Sequence, residues 1–188
     1  MKPHYVLAAA IAATSVLALA AAPEPLPAQW HVTGKDAKKY SAGVDQSDGF
    51  KGAKFLTNTS DDDKAWAALG QGISPQNYAG QRVRFRARVR TQDISNWAGL
   101  WMRVDGVHRP GLAFYNSQDK PIKGTSDWQE RSVVLDVPQD ATAIVFGVIG
   151  AGKGTVWIDQ LALDTVGQDV PVDSFQPQRP PLPTAPTL

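Results

Sequence analysis

Residues 82–90, RVRFRARVR, place an arginine at every second position, with Val83, Phe85, Ala87 and Val89 between them. A helix has no use for this pattern, because a period of 3.6 would spread the arginines around the whole cylinder. A strand does, because successive side chains point to opposite faces. The alternation predicts a strand with an apolar face against a core and a cationic face outward, its arginines about 6.6 Å apart. Five of the nine arginines in the chain lie here. Left unpaired, such a row could track a polyanion; opposed by acids, it is the solvated side of an ordinary strand. The second reading is favoured. In WQERSVVLDV (128–137), Glu130 and Asp136 share a face with Ser132 and Val134, which offers cross-strand acid–arginine pairs. The chain carries 19 basic and 18 acidic residues, without the basic excess usual in nucleic-acid binders. No nucleic-acid partner is expected.

Further strand-like segments recur near 29–33, 39–44, 53–58, 65–73, 97–104, 111–116, 128–137, 143–149 and 154–163, separated by Gly, Asp, Asn and Pro. Short strands at even spacing predict an all-β sandwich or barrel. Lys38, Lys39, Ala65 and Ala68 allow a helical turn and nothing longer, and no internal repeat is present. With no cysteine, packing alone must hold the fold.

The flanks differ in character. Lys2 precedes an uncharged run from Tyr5 to Ala20 that ends in Ala18-Leu19-Ala20, an A-x-A cleavage pattern. A signal peptide over 1–20 and export to the periplasm or the medium are therefore expected. The competing reading is a retained anchor, but the run is shorter than the ~20 residues that span a bilayer, so no membrane span is expected after processing. Residues 21–28 read as a Pro/Ala spacer and 168–188 as a Pro-rich tail or linker, with PxxP spacing at Pro180, Pro183 and Pro186.

Motifs for catalysis are missing. GVIGAGKGT (147–155) approaches a phosphate-binding loop, but Gly154 stands where Ser or Thr is needed and β-rich TVWIDQLAL follows where a helix is required. A hairpin loop is expected. His31 and His108 have no neighbour at a metal-ligand spacing. Asp61-Asp62-Asp63 reads as a solvated charge run, with loose calcium binding as the alternative. In WAGLWMRVDG (97–106), Ala98, Leu100, Met102 and Val104 would share the core face, and Trp97, Gly99, Trp101 and Arg103 the other. Two outward tryptophans are either covered by neighbouring structure or form a binding face, since aromatic rings pack on sugar C–H faces while polar groups bond hydroxyls.

In order, YAGQRVRFRARVRT (78–91), WAGLWMRVDG (97–106), PIKGTSDWQ (121–129), RSVVLDVP (131–138) and GTVWIDQL (154–161) resemble the galactose-binding-like jelly-roll module, including the carbohydrate-binding modules of glycoside hydrolases. They resemble more closely a bacterial variant found beside transcription-regulator or peptidase domains, or alone after a signal peptide. The resemblance covers residues ~29–166 and implies a jelly-roll β-sandwich of two antiparallel sheets over 29–167. It implies a non-catalytic module that binds a carbohydrate or similar polar ligand on one sheet face. The outward candidates are Arg84, Arg86, Arg88, Trp97, Trp101 and Arg103, with Tyr115 and Asn116 on a neighbouring strand. The alternative is a structural or interaction module that docks a protein partner. Relatives hold a structural calcium ion partly through an aspartate in the closing strand; Asp159 stands there, but the usual first-strand partner is replaced by Ala28-Gln29-Trp30-His31.

Overall fold

The computed structural model describes residues 22–175; the expected signal peptide and the tail from 176 onward lie outside the described residues. Nine strands follow in order: β1 (Trp30–Thr33), β2 (Tyr40–Val44), β3 (Lys54–Asn58), β4 (Trp66–Ile73), β5 (Arg82–Gly106), β6 (Ala113–Tyr115), β7 (Ile122–Asp136), β8 (Ala141–Ala151) and β9 (Thr155–Val166). One 3-10 turn, Ala37–Lys39, precedes β2; Ala65 and Ala68 instead belong to the β4 region. Among the described residues no helix is long and apolar enough to cross a membrane.

The segments expected at 81–91 and 97–104 are a single strand. Its first half pairs with β7 on one side and β9 on the other; its second half pairs with β8 and β6. β5 therefore belongs to two layers. One runs β7, β5, β9, β3, β2; the other runs β1, β4, β8, β5, β6. All pairings are antiparallel. The strand changes layer between Thr91 and Ala98, where QDISN breaks the alternation, the β7 register slips twice and Asp93 takes φ +54°. Bulges bend a strand in this way.

Val83, Phe85, Ala87 and Val89 from one layer meet Ala98, Leu100, Met102 and Val104 from the other in one buried cluster. Phe85 and Phe146 touch across the layers, ring centroids 4.8 Å apart. The fold is a jelly-roll β-sandwich of antiparallel sheets, with the core between them.

The near phosphate-binding motif is the β8–β9 hairpin. Gly154 takes φ +99°, and a Cβ there would come within 2.5 Å of the Asp93 carbonyl oxygen. Glycine thus lets the hairpin tip seat on the crossover, where the Lys153 N–H donates to Ser95 Oγ at 2.7 Å.

The described parts of both flanks join the fold. Glu24, in the expected spacer, exchanges backbone hydrogen bonds with Val44 at 2.9 and 2.8 Å. Residues 168–175, expected as tail, dock on β7: the Asp173 N–H donates to the Val134 carbonyl at 2.9 Å.

Candidate functional site

The eight residues expected on one face do not share one. Because β5 changes layer, Arg84, Arg86 and Arg88 lie on the outer face of the β7–β5–β9–β3–β2 sheet, whereas Trp97, Trp101 and Arg103 lie on the outer face of the other. Tyr115 lies on neither. The register Met102↔Tyr115 turns it inward, where it is 1% exposed and its hydroxyl donates to Asp119 at 2.5 Å. Burial and that carboxylate push its phenol up.

Each arginine of the row is engaged. Arg82 lies across from Asp136 and meets its carboxylate at 2.7 Å. Arg84 and Arg86 share Asp164 of β9 at 3.7 and 2.8 Å, and Arg86 also reaches Glu130 at 3.7 Å. The Arg86 guanidinium holds the Asp164 carboxyl below the usual carboxylate range. Arg88 stacks on Trp128 at 5.3 Å; Arg90 stacks on Phe50 at 4.6 Å and meets Asp127 at 3.3 Å. Phe50, from the β2–β3 loop, in turn covers Trp157 at 4.9 Å. This face is a cross-linked surface of ion pairs and cation–π stacks, with no free cationic ladder. Glu130 and Asp136 share the row's face as expected; Asp164 was hidden because its strand could not be registered against β5 from sequence.

The other outer face carries a groove. Trp66 of β4, Ala151 of β8 and Trp97 of β5 share one rung of the sheet. The two tryptophans thus flank a small side chain, their backbones roughly 10 Å apart at two strand spacings. Ile149 continues the floor on the next rung. Phe114 and Asn116, on and just beyond β6, form the far wall. The groove encloses about 320 Å³, with Asn96, Asn116, Gln118 and Lys64 at its rim. That is the small end of the ordinary range for ligand pockets. Trp66 and Phe114 are unusually open for large apolar side chains, at 38% and 46% exposed. Lys64 is the single charged lining residue, and among the described residues its ammonium has no partner.

Of the expected residues, Trp97 and Asn116 line the groove. Trp101 is buried beside it with Ala68 and Ile149, its indole lying against Gly70, where a Cβ would sit 2.8 Å from the ring. Among the described residues its Nε1 has no partner. Arg103 forks onto Asp105 at 2.8 and 2.9 Å. Trp66 and Phe114 were missed. Trp66 alternates outward with Ala68 and Gly70 in AWAALGQGI, which is a readable signal; in AFYN, only the pairing with β5 decides that Phe114 faces out and Tyr115 in.

The three aspartates of the charge run go to separate partners: Asp61 to Lys153 at 3.1 Å, Asp62 to Lys39 at 2.7 Å and Asp63 to Ser95 at 2.8 Å. Asp159 lies across from Arg88. Among the described residues no group of three or more His, Cys, Asp or Glu could hold a metal ion.

No family model matches the chain. Among curated proteins it is 32% identical over 150 residues to YbfP, an uncharacterized HTH-type transcriptional regulator of Bacillus subtilis (strain 168); the match covers 78% of this chain and 51% of the regulator. The chain thus spans about half the length of that relative. Among solved structures, the CBM22-1 xylan-binding domain of Paenibacillus barcinonensis Xyn10C superposes with a TM-score of 0.50 at 15% identity, covering 77% of this chain and 90% of that one. The CBM22-1 and GH10 modules of Clostridium thermocellum xylanase 10B, complexed with xylohexaose, give 0.53 at 11% identity, covering 78% of this chain and 28% of that one. Arabinose-bound MgGH51 α-L-arabinofuranosidase gives 0.53 at 16%, covering 73% and 23%. At such identities the likeness is one of fold. The fold these structures share with the chain is the jelly-roll β-sandwich.

Proposed function

We propose that this protein is an exported, non-catalytic module that binds a carbohydrate in the groove between Trp66, Trp97 and Phe114. The observation that carries the reading is the pairing of open aromatic faces with an amide-rich rim: Asn96, Asn116 and Gln118 surround rings left exposed to solvent. Sugar rings need both surfaces, an aromatic face for their C–H groups and amides for their hydroxyls. Export is supported by the uncharged, alanine-rich run from Tyr5 to Ala20 and its A-x-A pattern. A glycan array probed with the full chain tests the binding. Retention of one glycan class by the wild type, with loss of at least tenfold in affinity for Trp97→Ala, supports the reading; such a loss is the size expected for an aromatic hot spot. An array without hits refutes it.

A second reading is that the same face docks a protein segment on its exposed aromatic rings. It predicts an empty array together with co-purification of a partner that Trp97→Ala releases.

A further inference from the structure

The chain does not leave the sandwich where β9 ends. Residues 168–175 return along the outward edge of β7, held by three anchors of different kinds. Arg82 Nη1 donates to the carbonyls of Gln168 and Val170, at 2.9 and 2.6 Å. Asp173 pairs with Val134 twice: its N–H donates to the Val134 carbonyl, and its carboxylate accepts the Val134 N–H at 2.9 Å while meeting Lys120 at 2.8 Å. Phe175 then sets its ring against Tyr115 at 5.0 Å and Phe114 at 6.2 Å.

The last contact links this segment to the groove. Phe114 forms the groove's far wall from β6, a three-residue strand bonded to β5 alone. Its ring is 46% exposed, so the core does not hold it; its aromatic partner among the described residues is Phe175. Whatever displaces Phe175 frees one wall of the groove. We infer that residues 168–175 form a strap that positions Phe114, coupling occupancy of the groove to the segment that follows β9. Phe175 and Asp173 are positioning residues, since neither lines the groove. The inference rests on the groove being the ligand site. Linkage makes the coupling reciprocal: a ligand that prefers the strapped groove must also hold the strap.

Amide hydrogen exchange at Asp173, read by NMR on the full chain, tests this. Phe114→Ala should speed exchange at Asp173 by a few-fold to about tenfold, the range set by losing one aromatic pair. Trp66→Ala, on the opposite wall, should leave it unchanged. Both rings are partly exposed, so both variants keep the core. With a glycan retained on the array, Phe175→Ala should weaken binding by a similar factor, and saturating glycan should slow Asp173 exchange in the wild type but not in Phe175→Ala. Unchanged exchange in Phe114→Ala, or wild-type affinity in Phe175→Ala, would overturn the strap. If no glycan binds, the reading of the groove falls, while exchange in Phe114→Ala still decides whether the strap holds the wall.

Discussion

Phe85→Ala is the sharpest probe of the two-layer core. Phe85 is 0% exposed and touches Phe146 across the layers at 4.8 Å, so truncation opens a cavity that neither sheet can fill alone. Phe→Ala changes in packed cores cost about 3–5 kcal/mol, a large part of the 5–15 kcal/mol that holds a typical domain. With a urea m-value of about 2 kcal/mol/M, the midpoint should fall by roughly 2 M. Arg86→Ala, one residue along, is the control. Its guanidinium meets Asp164 and Glu130 on a solvated face, where screening leaves ion pairs weak. Its midpoint should move by a small fraction of the Phe85 shift. Urea titrations of the full chain, followed by tryptophan fluorescence, give both numbers. Equal shifts would mean that the faces of β5 are assigned the wrong way round.

Two further outcomes follow from the structure. Tyr40 donates to the carbonyls of Ala65 and Gly152 at 3.1 and 3.0 Å, and burial pushes its phenol up to about 12. A folded pKa above the unfolded value of about 10 means that its stabilisation is complete below pH 10 and is lost as pH rises from there towards 12; pH-dependent urea midpoints should show this loss in the wild type and less of it in Tyr40→Phe. The engaged arginine row should bind single-stranded oligonucleotides no more tightly than the non-specific range, roughly 10⁻⁴ M at physiological salt; micromolar anisotropy binding that disappears in Arg84→Ala/Arg88→Ala would contradict the pairing described.

Period-2 alternation is plainest in the first half of β5, where the apolar half of RVRFRARVR is buried and its arginines face out; β4 and β8, with continuous buried runs, were legible as short apolar segments between turn residues. What could not be read is where a strand changes partners. QDISN reads as a loop between two strands, yet its backbone stays paired through the bend, and that continuity sends Arg84 and Trp97 to opposite surfaces. The groove was half legible for the same reason. Trp97 and Asn116 were visible, but Phe114 and Tyr115 are adjacent aromatics whose directions depend on register with a distant strand. The docking of 168–175 was hidden because Pro and Asp there read as a linker locally, while Asp173 and Phe175 find their partners through tertiary contacts alone.

The six tryptophans permit a direct test of the groove. Trp66 and Trp97 line it, Trp101 lies beside it, and Trp128 and Trp157 lie on the arginine face. Indole N–H resonances of the full chain, followed during titration with a glycan retained on the array, report each surface separately. Shifts confined to the indoles of Trp66, Trp97 and Trp101 are the predicted result. Shifts at Trp128 and Trp157 with the groove indoles unmoved would place the ligand on the arginine face and contradict the account.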